Sequence, residues 1–240
     1  MDGRRRRERL WRVVAAWAEA PEREPGWAQE VCLSVVAEFR GVDAATLSLW
    51  VRGERAQEIL GASDAWAAGL AETQYTVGEG PGMEALRGNE PVLVPDLRVD
   101  QQRWPGYAEE ALAAGVAAVF VFPLQVGALR LGTLELFRHH VGELGDDEST
   151  DAVLTANLVA AGLLRQADLA ERAGQVYEPR LVTSFHDVNV ATGILAARLR
   201  IDLDDAFARL RAHAFGHGRP VLDVARDVIE RRIALDDLAE

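Results

Sequence analysis

Few side chains in this sequence have the types and spacing that chemistry needs. Cys32 is the one cysteine, so neither an intrachain disulfide nor a cysteine-cluster metal site can form. His139 and His140 are adjacent at the end of a predicted strand, where neighbours face opposite ways and make a poor metal pair. His213 and His217 stand at i, i+4 on a predicted helix, a spacing that can hold a metal. They lack an H-E-x-x-H frame and a third ligand nearby, so a surface pair is expected. Gly78, Gly80 and Gly82 form a Gly-x-Gly-x-Gly run before a helix, the outline of a phosphate cradle. A Walker loop would need lysine, and there is none in the chain; a Rossmann turn would need a strand directly before it and an x-x-Gly ending. No nucleophile–base pair stands out. The expectation is a chain with no catalytic residue, no metal and no cofactor. What remains is arginine. All 26 basic residues are arginine, each planar, always charged and able to contact phosphate or carboxylate through two bonds.

The 240 residues are 49% hydrophobic and 27% charged, a globular mixture with enough apolar surface for one large core or two modest ones. A net charge of −12 argues against a nucleic-acid coat over the whole surface, while leaving room for a local basic patch. No apolar run approaches the roughly 20 residues of a membrane span. Arg4 to Arg7 precede Leu10, Val13, Val14 and Trp17, which fall at i, i+3, i+4 and i+7. Such a stripe belongs to an amphipathic helix, here over residues 1–26, lying on the domain or on a second subunit. Arg12 and Glu19 interrupt the stretch, so no secretory signal is expected and the chain reads as cytoplasmic.

These residues must be positioned by two blocks of secondary structure, predicting an α+β fold. In the first block, 27–165, a helix from Trp27 to Phe39 precedes alternating strands at Ala45–Val51 and Ala56–Leu60, joined by a turn at Arg52, Gly53 and Glu54. Asp64 is placed to cap a helix carrying Trp66 and Leu70. A short helix through Met83 and Leu86 leads to a strand at Val92–Val94. Strands at Val116–Pro123 and Leu131–Phe137, turning near Gly127, precede a helix over Ser149–Leu164. In the second block, 180–240, three helices follow a helical connector at 166–179. They run over Arg180–Arg200, from an Asp202 cap to Gly216 or Gly218, and onward from Pro220.

The passage V-G-E-G-P-G-M-E-A-L-R-G-N-E-P-V-L-V-P-D-L from Val77 to Leu97 resembles the GAF family of small-molecule-sensing domains. The two later strands, G-V-A-A-V-F-V-F-P-L and L-G-T-L-E-L-F, resemble the end of the GAF sheet, with Trp104–Ala114 as its variable lid. The resemblance implies an antiparallel sheet flanked by helices. It also implies an unidentified small-molecule ligand or a dimerisation role. Trp66, Tyr75, Trp104, Tyr107, Phe120 and Phe122 are candidate pocket residues, with core filling or sheet cover as the alternative reading of each. The GAF branches that reduce methionine sulfoxide through paired cysteines, or bind bilin through a lid cysteine, need thiols that this chain lacks.

The second block is similar to an ANTAR domain, the RNA-binding output module of antitermination regulators. Ala191, Gly193, Leu195, Ala206, Phe207, Leu210, Arg211, Ala214, Val224 and Ala225 carry that resemblance. It implies binding to hairpin loops of nascent RNA by a homodimer, with the helix through Leu154, Leu158, Gly162 and Arg165 as connector. Candidate RNA-binding residues are Ala191, Thr192, Gly193, Arg198, Arg209, Arg211 and Arg219. The small residues let either a nucleotide or another helix approach closely, and the guanidinium groups suit phosphates and unpaired bases. From residue 180 to residue 235 there are nine arginines against seven carboxylates, whereas residues 1–177 are strongly acidic. Val190 and Thr192 stand where the family usually has glutamine and often lysine. That departure also permits a bundle that serves sensing, dimerisation or protein interaction without RNA.

Overall fold

A computed structural model describes residues 3–19, 26–51, 56–177, 179 and 181–238. Pro21, Pro25, the turn at Arg52, Gly53 and Glu54, the start at Arg180 and the side chain of Trp17 lie outside the described residues. Helix α1 (Gly3–Glu19) and α2 (Trp27–Glu38) come first, then strands β1 (Ala44–Val51) and β2 (Ala56–Ala62). Helices α3 (Ala65–Val77) and α4 (Pro81–Gly88) precede β3 (Val92–Val94), α5 (Leu97–Asp100) and α6 (Pro105–Ala113). Strands β4 (Ala118–Val126) and β5 (Leu129–Arg138) complete the central part, and α7 (Asp146–Arg172) closes it. Strand β6 (Thr183–Ser184) then leads into α8 (His186–Leu199), α9 (Leu203–Gly216) and α10 (Val221–Ile229). The fold is α+β: a six-stranded antiparallel sheet in the order β3-β4-β5-β1-β2-β6, flanked by helices and followed by a three-helix bundle.

Local chemistry accounts for the element ends. The Asp64 carboxylate accepts a bond from the Ala67 amide at 2.8 Å, and Asp202 does the same for Asp205 at 2.7 Å, satisfying helix amides that have no partner within the helix. Helix α3 stops at Gly78, whose φ of 74° is the left-handed cap conformation that favours glycine.

Strand alternation sorts the sheet into two faces. One face carries Leu47, Phe120, Phe122, Leu134 and Leu136 into a core with α1, α2 and α7. The N-terminal helix belongs to this layer: Leu10 and Val14 are buried in it, and Arg6 Nε donates to the buried Asp151 of α7 at 2.6 Å. The other face carries Val119, Val121 and Phe137 into a core with α3, α4 and α6.

Two boundaries differ from expectation. The bundle's first helix begins at His186, six residues after the predicted start, because Thr183 and Ser184 pair with Ile59 and Glu58 and extend the sheet by one strand. The connector is helical only to Arg172, where α7 ends and Gly174 takes a φ of 69°. On α7, Leu154 and Arg165 face solvent but Gly162 is buried, so the four-residue connector stripe divides between two faces.

Candidate nucleic-acid interface and its seat on the sheet domain

The bundle core is built from Phe185, Val188, Ala191 and Leu195 of α8, Ala206, Leu210 and Ala214 of α9, and Val221, Val224, Ala225 and Val228 of α10. Ile59, Ala71 and Tyr75 of the sheet domain lie in the same cluster. The two units therefore share one apolar core. Tyr75 fills the joint, its ring 4.1 Å from Phe185 and 5.6 Å from Phe207.

This arrangement scatters the candidate RNA residues. Ala191 is fully buried and Thr192 is 7% exposed; the Thr192 hydroxyl donates back to the Val188 carbonyl at 2.7 Å. Burial fits close helix packing, the other reading of Ala191, and leaves neither side chain accessible to a nucleotide here. Gly193 is half-buried, with open space where a Cβ would stand. Arg198 is exposed near the end of α8, beside Arg200, which caps that helix with a φ of 58°. Arg209 Nη1 donates to the Leu238 carbonyl at 3.5 Å. Arg219 Nη2 bonds Asp227 at 2.6 Å, which holds that carboxyl below its ordinary range together with Arg232.

Arg211 points elsewhere. Its Nε donates to the Thr76 carbonyl at 2.7 Å and its Nη2 to the Val77 carbonyl, while Phe207 lies 5.3 Å from the guanidinium carbon. These carbonyls end α3, where the helix dipole leaves partial negative charge. Residues two apart on a helix do not share a face, so Arg209 and Arg211 serve different surfaces.

The candidate pocket aromatics do not converge either. Phe120 and Phe122 lie in the core beneath α1, α2 and α7, whereas Trp104 and Tyr107 lie in the core beneath α3, α4 and α6. Trp66 stacks on His139 with ring centres 4.1 Å apart, and its indole N–H donates to the Ala114 carbonyl. It also borders a cleft of about 430 Å³ between the two units, with Leu70, Val77, Phe215 and Pro220. His139 Nδ1 faces the Gly115 carbonyl at 3.0 Å, while the His213 and His217 rings stack on each other at 4.1 Å. Among the described residues no group of three or more His, Cys, Asp or Glu could hold a metal ion.

One buried polar cluster was not anticipated from the sequence. Glu135 of β5 is fully buried, accepting from Thr133 Oγ1 at 2.9 Å and from Gln74 Nε2 at 3.2 Å. Gln74 Oε1 accepts from the Gly82 amide at 2.6 Å. The glycine-rich run is thus laid directly on this pair: a Cβ at Gly82 would stand 2.4 Å from Glu135 Oε1, and one at Gly80 would stand 2.3 Å from Gln74 Oε1. Close approach, not a phosphate, explains these two glycines. Burial raises the Glu135 carboxyl to about 7, against the opposing pull of Thr133 and Gln74. Thr46 pairs with Glu135 across the strands, and Trp50 pairs with Gln57. Thr46 Oγ1, Trp50 Nε1, Gln57 Oε1 and Tyr107 OH are buried with no hydrogen-bond partner among the described residues. The sequence signal was a lone carboxylate in the apolar run L-E-L-F.

Residues 183–229 match the family model of the ANTAR domain. The fold of the sheet part is similar to the GAF domain of a phosphoenolpyruvate-protein phosphotransferase from Coxiella burnetii, with a TM-score of 0.52 and 16% identity over 72% of this chain and 99% of that one. It is also similar to a free methionine-R-sulfoxide reductase from Neisseria meningitidis, at a TM-score of 0.52 and 12% identity over 70% of this chain and 91% of that one. At these identities the likeness establishes the fold alone. A comparison with curated proteins finds no match.

Proposed function

We propose that this chain, a GAF fold followed by an ANTAR domain, is an RNA-binding antitermination regulator. Its bundle engages hairpin loops of nascent transcripts in the cytoplasm and so keeps a terminator hairpin from forming. The GAF part senses a small molecule or carries a homodimer. The observation that carries this reading is the ANTAR match across β6 and the three helices. The local excess of arginine over carboxylate supports it, as does the exposure of Arg198 and Arg200 at one end of α8. No reaction is assigned. Cys32 is fully buried, and burial pushes its thiol far up, away from the thiolate that redox chemistry needs.

The test is binding of the full chain to an RNA carrying two short hairpins, titrated across salt. Affinity should fall with salt, since each arginine–phosphate contact releases bound counterions. The double variant Arg198→Ala/Arg200→Ala should bind about tenfold or more weakly, with a salt slope shallower by about one per lost contact. Full affinity in that variant would move the site off the end of α8. A second reading, a bundle that docks protein, is favoured by Val190 and Ile194, apolar neighbours on α8 that are each 37% exposed. A folded chain that binds no hairpin RNA at any salt concentration would select it.

A further inference from the structure

The contact between Arg211 and the end of α3 joins the two units through one of the candidate RNA-binding residues. We infer that it is a mask: the GAF part holds the bundle in a docked arrangement in which Arg211 is withheld from RNA, and binding requires its release. This rests on the RNA-binding reading above.

Three observations support it. First, the guanidinium is committed, with Nε and Nη2 donating to the carbonyls of Thr76 and Val77, and Phe207 lies against it. Burial lowers the Arg211 pKa, as expected for a cation withdrawn from water onto neutral acceptors. Second, the seat is shaped for it. A Cβ at Gly78 would stand 1.3 Å from Arg211 Nη2, so the arginine occupies the space that the missing side chain leaves. Third, the seat is tied both to the bundle and to the buried cluster. The amide of Val221, which starts α10, donates to Thr76 Oγ1 at 3.3 Å. Gln74, two residues earlier on the same last turn of α3, holds Glu135 and the Gly82 amide. A change in that cluster has only the end of α3 to cross before it reaches Arg211.

Opening must also part the apolar joint of Ile59, Ala71 and Tyr75 with the bundle, while the strand contact is narrow. Strand β6 contributes two residues to the sheet edge, and among the described residues no helix or strand lies between Arg172 and Thr183. Gly174 and Pro179 there suit a joint that changes direction. Since ligand and docking would compete for the same guanidinium, the coupling must be reciprocal: RNA must weaken docking to the same degree that docking weakens RNA binding.

The experiment compares the full-length wild type with Gly78→Asn and Arg211→Ala. Asparagine tolerates the left-handed cap conformation, and its side chain evicts Arg211 without altering any bundle residue. Hydrogen exchange over Thr76–Gly78 and over 173–184 reports opening, and titration of the two-hairpin RNA reports binding. We expect faster exchange in both variants, at least tenfold tighter RNA binding for Gly78→Asn, and weaker binding for Arg211→Ala. RNA added to the wild type should also speed exchange at Thr76–Gly78. Unchanged exchange in both variants would overturn the clamp. Should Gly78→Asn fail to fold, exchange in Arg211→Ala and the effect of RNA on the wild type decide the question. Opening without a gain in a wild type that already binds RNA would overturn masking. Opening in variants that bind no RNA at all, like the wild type, would leave the clamp standing and remove the RNA reading beneath it.

Discussion

Glu135 shows how a single residue can set a measurable property of the whole chain. Its folded carboxyl is raised to about 7 from an ordinary 4.5, so the folded state holds this proton more tightly than the unfolded state does. By linkage, its contribution to stability is greatest below about pH 4.5 and is lost as pH rises through about 7, a difference on the order of 3 kcal/mol. Glu135→Gln keeps a neutral hydrogen-bonding group in the same space and should remove that dependence. Urea midpoints at pH 5 and pH 8 should therefore diverge between variant and wild type, with the variant gaining at pH 8. Parallel curves would show that the carboxyl is ionised throughout. Cys32 offers a simpler check, since a fully buried thiol pushed far up should not react with a thiol reagent until the chain unfolds. The carboxylate was visible in the strand sequence, but its partner was not. Gln74 is one polar residue among several on α3, and only the packing of α3 over β5 turns it inward.

Between elements, the N-terminal helix is bound by more than its apolar stripe. Asp151 is buried on α7 and faces both Arg6 and Arg7 of α1. Removing the carboxylate leaves the buried Arg6 charge uncompensated, so Asp151→Ala should cost about 3–5 kcal/mol. Glu8→Ala, which breaks only an exposed Arg4–Glu8 pair, should change stability by less than about 1 kcal/mol. Equal urea midpoints for the two variants would mean that the buried Asp151 pairing contributes nothing to holding α1. Helices and strands with their own caps and alternation were legible: Asp64, Asp202 and Gly127 mark the ends they were expected to mark. Strand β6 was not legible. Two residues carry no period, and what makes Thr183 and Ser184 a strand is the edge of β2, more than a hundred positions earlier in the chain. The apolar Phe185 then extends the helical stripe backward, which is why α8 was expected to begin too early. The candidate RNA set failed as a single surface for a related reason: periodicity shows that Ala191 and Leu195 share a face, but not that this face turns inward.

Across the whole molecule, the shared core of Ile59, Ala71 and Tyr75 with the bundle helices makes the stabilities of the two units interdependent. Tyr75→Ala should speed hydrogen exchange in α8 to α10 as well as in α3, because the cavity opens on both sides of the joint. Phe122→Ala, in the opposite core, should loosen α1, α2 and α7 first. If the bundle's exchange is unmoved by Tyr75→Ala, the two units fold independently. The order of the two units was legible from motif order, but their docking was not, since no local pattern says that Arg211 sits on a helix end in the other unit.

The two-residue strand β6 has one more consequence. Docked, it occupies the outer edge of β2, whose amides and carbonyls would otherwise stand as an open template. A released bundle uncovers that template and at the same moment frees the segment that fits it. In a crowded solution the nearest free copy of that segment belongs to another chain, so release and strand exchange between molecules become competing fates of one motion. The same hinge that lets the bundle go would then set how long it stays single.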